Sequence, residues 1–265
     1  MSGVLQRLFG VEGKQVVVTG GSRGIGEMIA RGFVEAGADV FISARKAEAC
    51  DATAAELDAM GPGTCTSVPA DLSGQAGVDL LAGEVRERTG GHLDVLVNNA
   101  GATWGAPIEQ YPESAFDKVF GINVKGPFLL TQALLPELRA AGTAEDPARV
   151  INVASVDGLK NPAMDSYAYS ATKAGIIALS RHLAKRLVRD HINVNVIAPG
   201  PFESKMMAFA LATDEMRAAV AGGVPRGRIG EPDDMAAAAI FLASRASSYV
   251  VGDTLVVDGG IVHAT

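Results

Sequence analysis

Tyr169 and Lys173 stand four residues apart in the run Ser166-Tyr-Ala-Tyr-Ser-Ala-Thr-Lys173, a spacing that puts a phenol and an ammonium on one face of a helix. Such a pair is an acid/base device. A fixed cation favours the phenolate and draws a tyrosine pKa down from about 10 toward the working pH, so the pair can pass a proton to a carbonyl oxygen. Ser155 follows the β-branched run Arg149 to Val153, and its hydroxyl can donate to the same oxygen as negative charge grows there. Tyr167 is a rival for the acid. It has Thr172 rather than a lysine at a nearby helical offset, and reads as packing or pocket wall.

A second constellation suits a dinucleotide. Gln15 to Thr19 reads as a strand running straight into Gly20-Gly-Ser-Arg-Gly-Ile-Gly26 and then a helical pattern. Glycines at 20, 24 and 26 let backbone approach a pyrophosphate, while the free N–H groups and dipole of the helix that follows supply positive potential; Ser22, Arg23 and Ile25 lie in the same loop. The second strand, Asp39 to Ser43, ends without a carboxylate and is followed by Arg45. Arg23 and Arg45 can clamp a 2′-phosphate by charge-assisted hydrogen bonds, which predicts NADPH rather than NADH. Asp71 and Leu72, placed to bond and flank an adenine, and Asn98-Asn-Ala-Gly101 follow the third and fourth strands.

The elements that must position these groups alternate along the chain. Seven strands are predicted, the remaining ones at Cys65 to Pro69, Val95 to Asn98, Arg149 to Val153, Asn193 to Ala198 and Thr254 to Val257. Helices are predicted near Ile25 to Ala36, Ala47 to Met60, Gln75 to Thr89, Glu113 to Ala140, Tyr167 to Arg189 and Asp233 to Leu242. The alternation predicts an α/β fold: a single domain over residues 1–265 with a seven-stranded parallel sheet flanked by helices on both faces. Residues from about 201 to 230 break the pattern and carry Phe202, Met206, Met207, Phe209 and Leu211. They read as a substrate lid.

A net charge of −7 argues against a nucleic-acid surface. Cys50 and Cys65 form neither a disulfide framework nor, with four scattered histidines, a metal site, so reduced thiols and no metal are expected. Neither a signal peptide nor a membrane span is expected. The expectation is a soluble, cytoplasmic protein.

Thr19-Gly-Gly-Ser-Arg-Gly-Ile-Gly26, Asn98-Asn-Ala-Gly101, Asn123, Ser155, Tyr169-x-x-x-Lys173 and Pro199-Gly200 together resemble the short-chain dehydrogenase/reductase family over essentially the full length. The resemblance implies a Rossmann fold with Tyr169 as general acid/base and Ser155 orienting the carbonyl. It implies that Lys173 bonds the nicotinamide ribose and lowers the Tyr169 pKa, and that Asn123 supports a water relay. Asn99, Ala100, Gly101, Pro199, Gly200 and Phe202 would join the cofactor site, with Ser204 in place of a threonine that contacts phosphate. A homotetramer built on the two long helices is also implied.

Within the family, the segments Ala44 to Cys50, Asn98 to Gly105, Ala144 to Val150 and His191 to Gly200 are similar to NADPH-dependent 3-oxoacyl reductases, especially the type associated with rhamnolipid precursors. The expected substrate is therefore a 3-oxoacyl thioester or similar apolar ketone. A sugar or polyol dehydrogenase, and a dinucleotide-binding regulator without turnover, are the alternatives. Glu145, Asp146 and Asp190 weaken the basic patch that an acidic carrier protein would meet, although Arg139, Arg149 and Arg189 are near. A coenzyme A thioester or free ketone fits better.

Overall fold

The computed structural model describes residues 3–162 and 164–264. Its strands are β1 Gln15–Thr19, β2 Asp39–Ser43, β3 Thr64–Ser67, β4 Val95–Asn98, β5 Ala148–Val153, β6 Ile192–Pro199 and β7 Thr254–Val257. All pair in parallel in the order β3-β2-β1-β4-β5-β6-β7. The order reverses between β1 and β4, where a doubly wound sheet opens a crevice at its carboxyl edge.

The helices that matter here are α1 Gly3–Phe9, α2 Gly24–Glu35, α3 Ala47–Asp58, α4 Gln75–Thr89, α5 Glu113–Phe120, α6 Gly126–Ala133, α7 Leu135–Ala141, α8 Tyr167–Leu187, α9 Asp214–Gly222 and α10 Pro232–Ala243. Alternate strand residues serve opposite faces, as a pleated strand requires. Val16 and Val18 pack with Ile29 and Phe33 of α2, Leu57 of α3 and Leu242 of α10. Val17 and Leu96 face the other way, among Leu81 of α4, Leu130 of α6, Leu138 of α7 and Leu187 of α8. Burial on both faces explains why the strands read as continuous apolar runs.

The helix expected over Glu113 to Ala140 is a correction: it breaks twice. A π-helical turn, Gly121–Lys125, separates α5 from α6, and Leu134 ends α6 before α7 begins. Pro127 and Pro136 lack the N–H that an unbroken helix would direct to Asn123 and Gln132. α1 was not foreseen, because none of its side chains is buried and it leaves no apolar stripe to detect. The segment from 201 to 230 is a loop with α9 inside it, and its ends meet where Phe202 bridges Gly230 and the Gly230 N–H donates to the Pro201 carbonyl at 2.9 Å.

Candidate active site

β1 delivers the glycine loop to the crevice. Gly20 and Gly24 have φ of 67° and 55°, in the left-handed region that glycine tolerates. A Cβ at Gly26 would overlap the Gly20 carbonyl oxygen, so the first turn of α2 seats directly on the loop. Arg23 precedes α2 without any side-chain cap, which leaves N–H groups of the first turn facing the loop. Asn99 fixes this geometry from β4: its Nδ2 donates to Thr19 O at 2.9 Å and its N–H to Thr19 Oγ1 at 3.0 Å. Ala100 N–H donates to the same hydroxyl at 3.0 Å. An uncapped helix N-terminus, a glycine cradle and two exposed guanidinium groups, Arg23 and Arg45, fit a dinucleotide with an extra phosphate.

The far end of the crevice is less as expected. Asp71 is exposed, accepts the Ser73 N–H at 3.1 Å, and is held below the usual carboxylate range by Ser73 and, more weakly, by Arg45. Leu72 is buried in the core beside Val68 and Ala70. Only 6% of it is exposed. On the opposite side Pro199 and Gly200 lead to Phe202, whose ring packs on Gly230. Ser204 reaches across to Gly24, where a Cβ would sit 3.1 Å from that of Ser204. The start of the 201–230 segment thus lies over the glycine loop.

The residues expected to form the catalytic set come from three elements. Ser155 ends the extended run of β5, with φ −168° and ψ 157°, and its Oγ accepts the Asp157 N–H at 3.1 Å. Lys173 is buried, donates to Val153 O at 2.8 Å, and holds its amine 5.5 Å from the Tyr169 ring centroid. Asn123 sits in the π turn. Its Oδ1 accepts Ala102 N–H at 2.8 Å, and its Nδ2 donates to Ala102 O at 2.9 Å and Thr172 Oγ1 at 3.0 Å. The side chain therefore ties the loop after β4 to α8, and Pro127 deprives its carbonyl of the usual helical donor. A Cβ at Gly101 would lie 3.3 Å from Asn123 Oδ1 and 3.8 Å from Lys173 Nζ, so this glycine keeps the lysine approachable.

The expected lowering of the tyrosine pKa is not what the fold produces. Burial pushes Tyr169 up to about 12, with Ser155 opposing through a hydrogen bond and Asp157 adding to the rise. Burial also brings Lys173 down to about 8, against a smaller upward pull from Asp157. Desolvation disfavours the charged form of each group and is the largest influence on both. Tyr167 takes the role assigned to it: its hydroxyl donates to Asp165 at 2.8 Å and its ring meets Tyr111 edge-on at 5.4 Å.

Two contributors were missed in sequence. The hydroxyl of Tyr111 accepts the Ala168 N–H of the first turn of α8 at 3.3 Å and donates to Trp104 O at 3.3 Å, bracing the loop after β4. Asp157 is an electrostatic neighbour of Tyr169 and Lys173. Its place two residues after Ser155 was the available signal. Among the described residues no cluster of His, Cys, Asp and Glu is arranged to hold a metal ion, and no helix is long and apolar enough to cross a membrane. Cys50 and Cys65 are free and buried.

Residues 20–262 match the family described as enoyl-(acyl carrier protein) reductase. The rhamnolipids biosynthesis 3-oxoacyl-[acyl-carrier-protein] reductase of Pseudomonas aeruginosa is 50% identical over 252 residues, covering 95% of this chain and 97% of that protein. The sorbitol dehydrogenase of Cereibacter sphaeroides is 37% identical, over 94% of this chain and 98% of the relative. Among solved structures, the Pseudomonas aeruginosa RhlG/NADP active-site complex superposes with a TM-score of 0.92 at 49% identity, covering 96% of this chain and 98% of that one. Motif order, sheet topology and full-length likeness agree, and the chain belongs to the short-chain dehydrogenase/reductase family.

Proposed function

We propose that this protein reduces the ketone of a 3-oxoacyl thioester, or a similar apolar ketone, to a secondary alcohol with NADPH. The observation that carries the substrate class is the apolar rim of the cleft. Trp104 on the loop after β4, Leu159 and Met164 after β5, and Met206 and Phe209 after β6 are all exposed large apolar side chains, and all leave the carboxyl edge where Ser155 and Tyr169 stand. A sugar site would place more hydrogen-bonding side chains there. The likeness to a 3-oxoacyl reductase supports the same reading.

The chemistry NADPH supplies when bound is a hydride for the carbonyl carbon. Ser155 and Tyr169 hold the carbonyl oxygen as it gains negative charge, and Tyr169 then delivers its proton to that oxygen. Lys173 holds positive charge beside the phenolate left behind, and Asn123 keeps the loop after β4 in register with α8 for that exchange. Arg23 and Arg45 select the phosphorylated cofactor. The lid over residues 201–230 closes on the acyl chain and sheds water from the reacting carbon.

Coenzyme A thioesters or free ketones fit this chain better than a carrier-protein substrate. Arg139 is paired with Asp190 at 2.7 Å, and Arg149 is buried against Asp146 and the Ser244 carbonyl, so neither offers a free cation to an acidic protein. An exposed aromatic stripe supports a homotetramer: Phe116, Phe120 and Phe128 of α5 and α6 are exposed, a surface that a second copy would cover. A cytoplasmic location accords with buried free thiols.

The test follows NADPH and NADH absorbance with acetoacetyl-CoA, a longer 3-oxoacyl-CoA, a diketone and a keto-sugar. Oxidation of NADPH by the thioesters is expected. Turnover confined to the keto-sugar would overturn the substrate reading and place the enzyme in carbohydrate chemistry.

A further inference from the structure

α8 carries Tyr169 in its first turn, and that turn is capped from a distant part of the chain. Ser166 stands at the capping position, where a serine hydroxyl usually accepts an N–H of the turn that follows. It makes no such bond, and among the described residues its buried Oγ has no hydrogen-bond partner. The hydroxyl of Tyr111 takes that place, accepting the Ala168 N–H at 3.3 Å across 57 residues of sequence.

The ring behind this hydroxyl is held on two sides. It meets Phe116 of α5 edge-on at 5.4 Å, and Tyr167 of α8 edge-on at 5.4 Å, so the phenol has little freedom to leave the helix end. The same hydroxyl donates to the carbonyl of Trp104 at 3.3 Å, and the Trp104 side chain lies on the exposed apolar rim. One oxygen atom thus joins the loop on the substrate side to the residue immediately before the proton donor. The other ties between these segments act elsewhere. Ala106 N–H donates to Asp165 O at 3.2 Å, ahead of the helix, and Asn123 reaches Thr172 in the second turn. The Tyr111 bond acts on the first turn itself, whose N–H groups have no acceptor within the helix.

We propose that Tyr111 is a positioning residue for Tyr169: it caps α8 from the loop after β4 and so fixes where the phenol stands relative to the carbonyl that takes its proton. The inference rests on the reading of Tyr169 as the proton donor. Proton transfer weakens steeply once donor and acceptor leave hydrogen-bond reach, so slack in this turn slows the chemical step without loosening the cofactor.

The experiment compares the wild type with Tyr111→Phe, which removes the hydroxyl and keeps the ring against Phe116 and Tyr167. Hydrogen exchange of the peptide holding Ala168 and Tyr169, followed by mass spectrometry, should quicken about three- to tenfold, the worth of one hydrogen bond. Stopped-flow mixing of the enzyme–NADPH complex with the fastest ketone of the panel above should show the rate constant of the first turnover falling about three- to tenfold, with its amplitude and the Kd for NADPH within about twofold of the wild type. A protein that had merely lost part of its folded population would lose amplitude and keep its rate constant. Unchanged exchange at the start of α8, or a first-turnover rate constant equal to that of the wild type, would overturn the proposal. Should Tyr111→Phe fold poorly, replacing Tyr111 by 4-fluorophenylalanine fills the volume of the hydroxyl while accepting only weakly. The exchange measurement needs no substrate, so a protein in which α8 loosens as expected yet no thioester is reduced would sink the substrate reading alone.

Discussion

Replacing Lys173 with methionine should make the protein more stable while destroying its activity. Lys173 is 5% exposed, and burial brings its ammonium from 10.5 down to about 8. At about 1.4 kcal/mol per pH unit, holding that charge inside the fold at pH 7 costs about 3 kcal/mol. Methionine has similar length and no charge, but it leaves the Val153 carbonyl without its 2.8 Å donor, a loss of about 1 kcal/mol. The variant should therefore be about 2 kcal/mol more stable at neutral pH.

The pH dependence has a definite sign. Above pH 8 the folded chain gives up the Lys173 proton that the unfolded chain keeps until about 10.5. The unfolded state then binds more protons, so wild-type stability rises with pH across that window. Lys173→Met lacks this rise, and its advantage should nearly vanish by about pH 9.5. Urea unfolding of both proteins at pH 7 and 9.5, at one fixed protein concentration, measures the difference directly. A variant less stable than the wild type at pH 7, or a difference that ignores pH, would refute the reasoning.

Other consequences can be measured at the crevice and the lid. Arg45→Glu should weaken NADPH binding about 10- to 100-fold through loss of charge-assisted bonds to a phosphate, leaving NADH within a few-fold; calorimetric titration of both cofactors checks this, and equal losses would remove Arg45 from cofactor selection. Met206→Ser with Phe209→Ser should lower kcat/KM for a long 3-oxoacyl thioester about tenfold more than for acetoacetyl-CoA, at roughly 1 kcal/mol of lost apolar contact. A uniform fall across chain lengths would show that the lid does not hold the acyl chain.

The sheet was legible in the sequence because its central strands, β4, β5 and β6, are buried on both faces and read as near-continuous apolar, β-branched runs. The strands β1, β2, β4 and β7 match their predicted bounds residue for residue. The local motifs lie where their sequence context placed them: the glycine loop and Ser155 just beyond strands, and the Tyr169–Lys173 pair at a helix start. What failed depended on packing between distant segments. Spacing does not report how much of Leu72 is exposed, which its packing with Val68 and Ala70 decides. The resemblance gave Asn123 a place in the catalytic set, but only the fold shows its amide bonded to Ala102 and Thr172. The direction of the Tyr169 pKa was misjudged for the same reason: spacing reports that Lys173 is near, but burial, which spacing does not report, decides which form is favoured.

The most direct test of the central claim is the rate of NADPH oxidation by a 3-oxoacyl-CoA in the wild type and in Tyr169→Phe, with NADPH binding followed separately by fluorescence. Removing the proton donor should lower turnover by at least about a thousandfold, while Kd for NADPH stays within a few-fold. A Tyr169→Phe enzyme that turns over at a rate near the wild type would contradict the account, because the carbonyl oxygen would then be receiving its proton from another group.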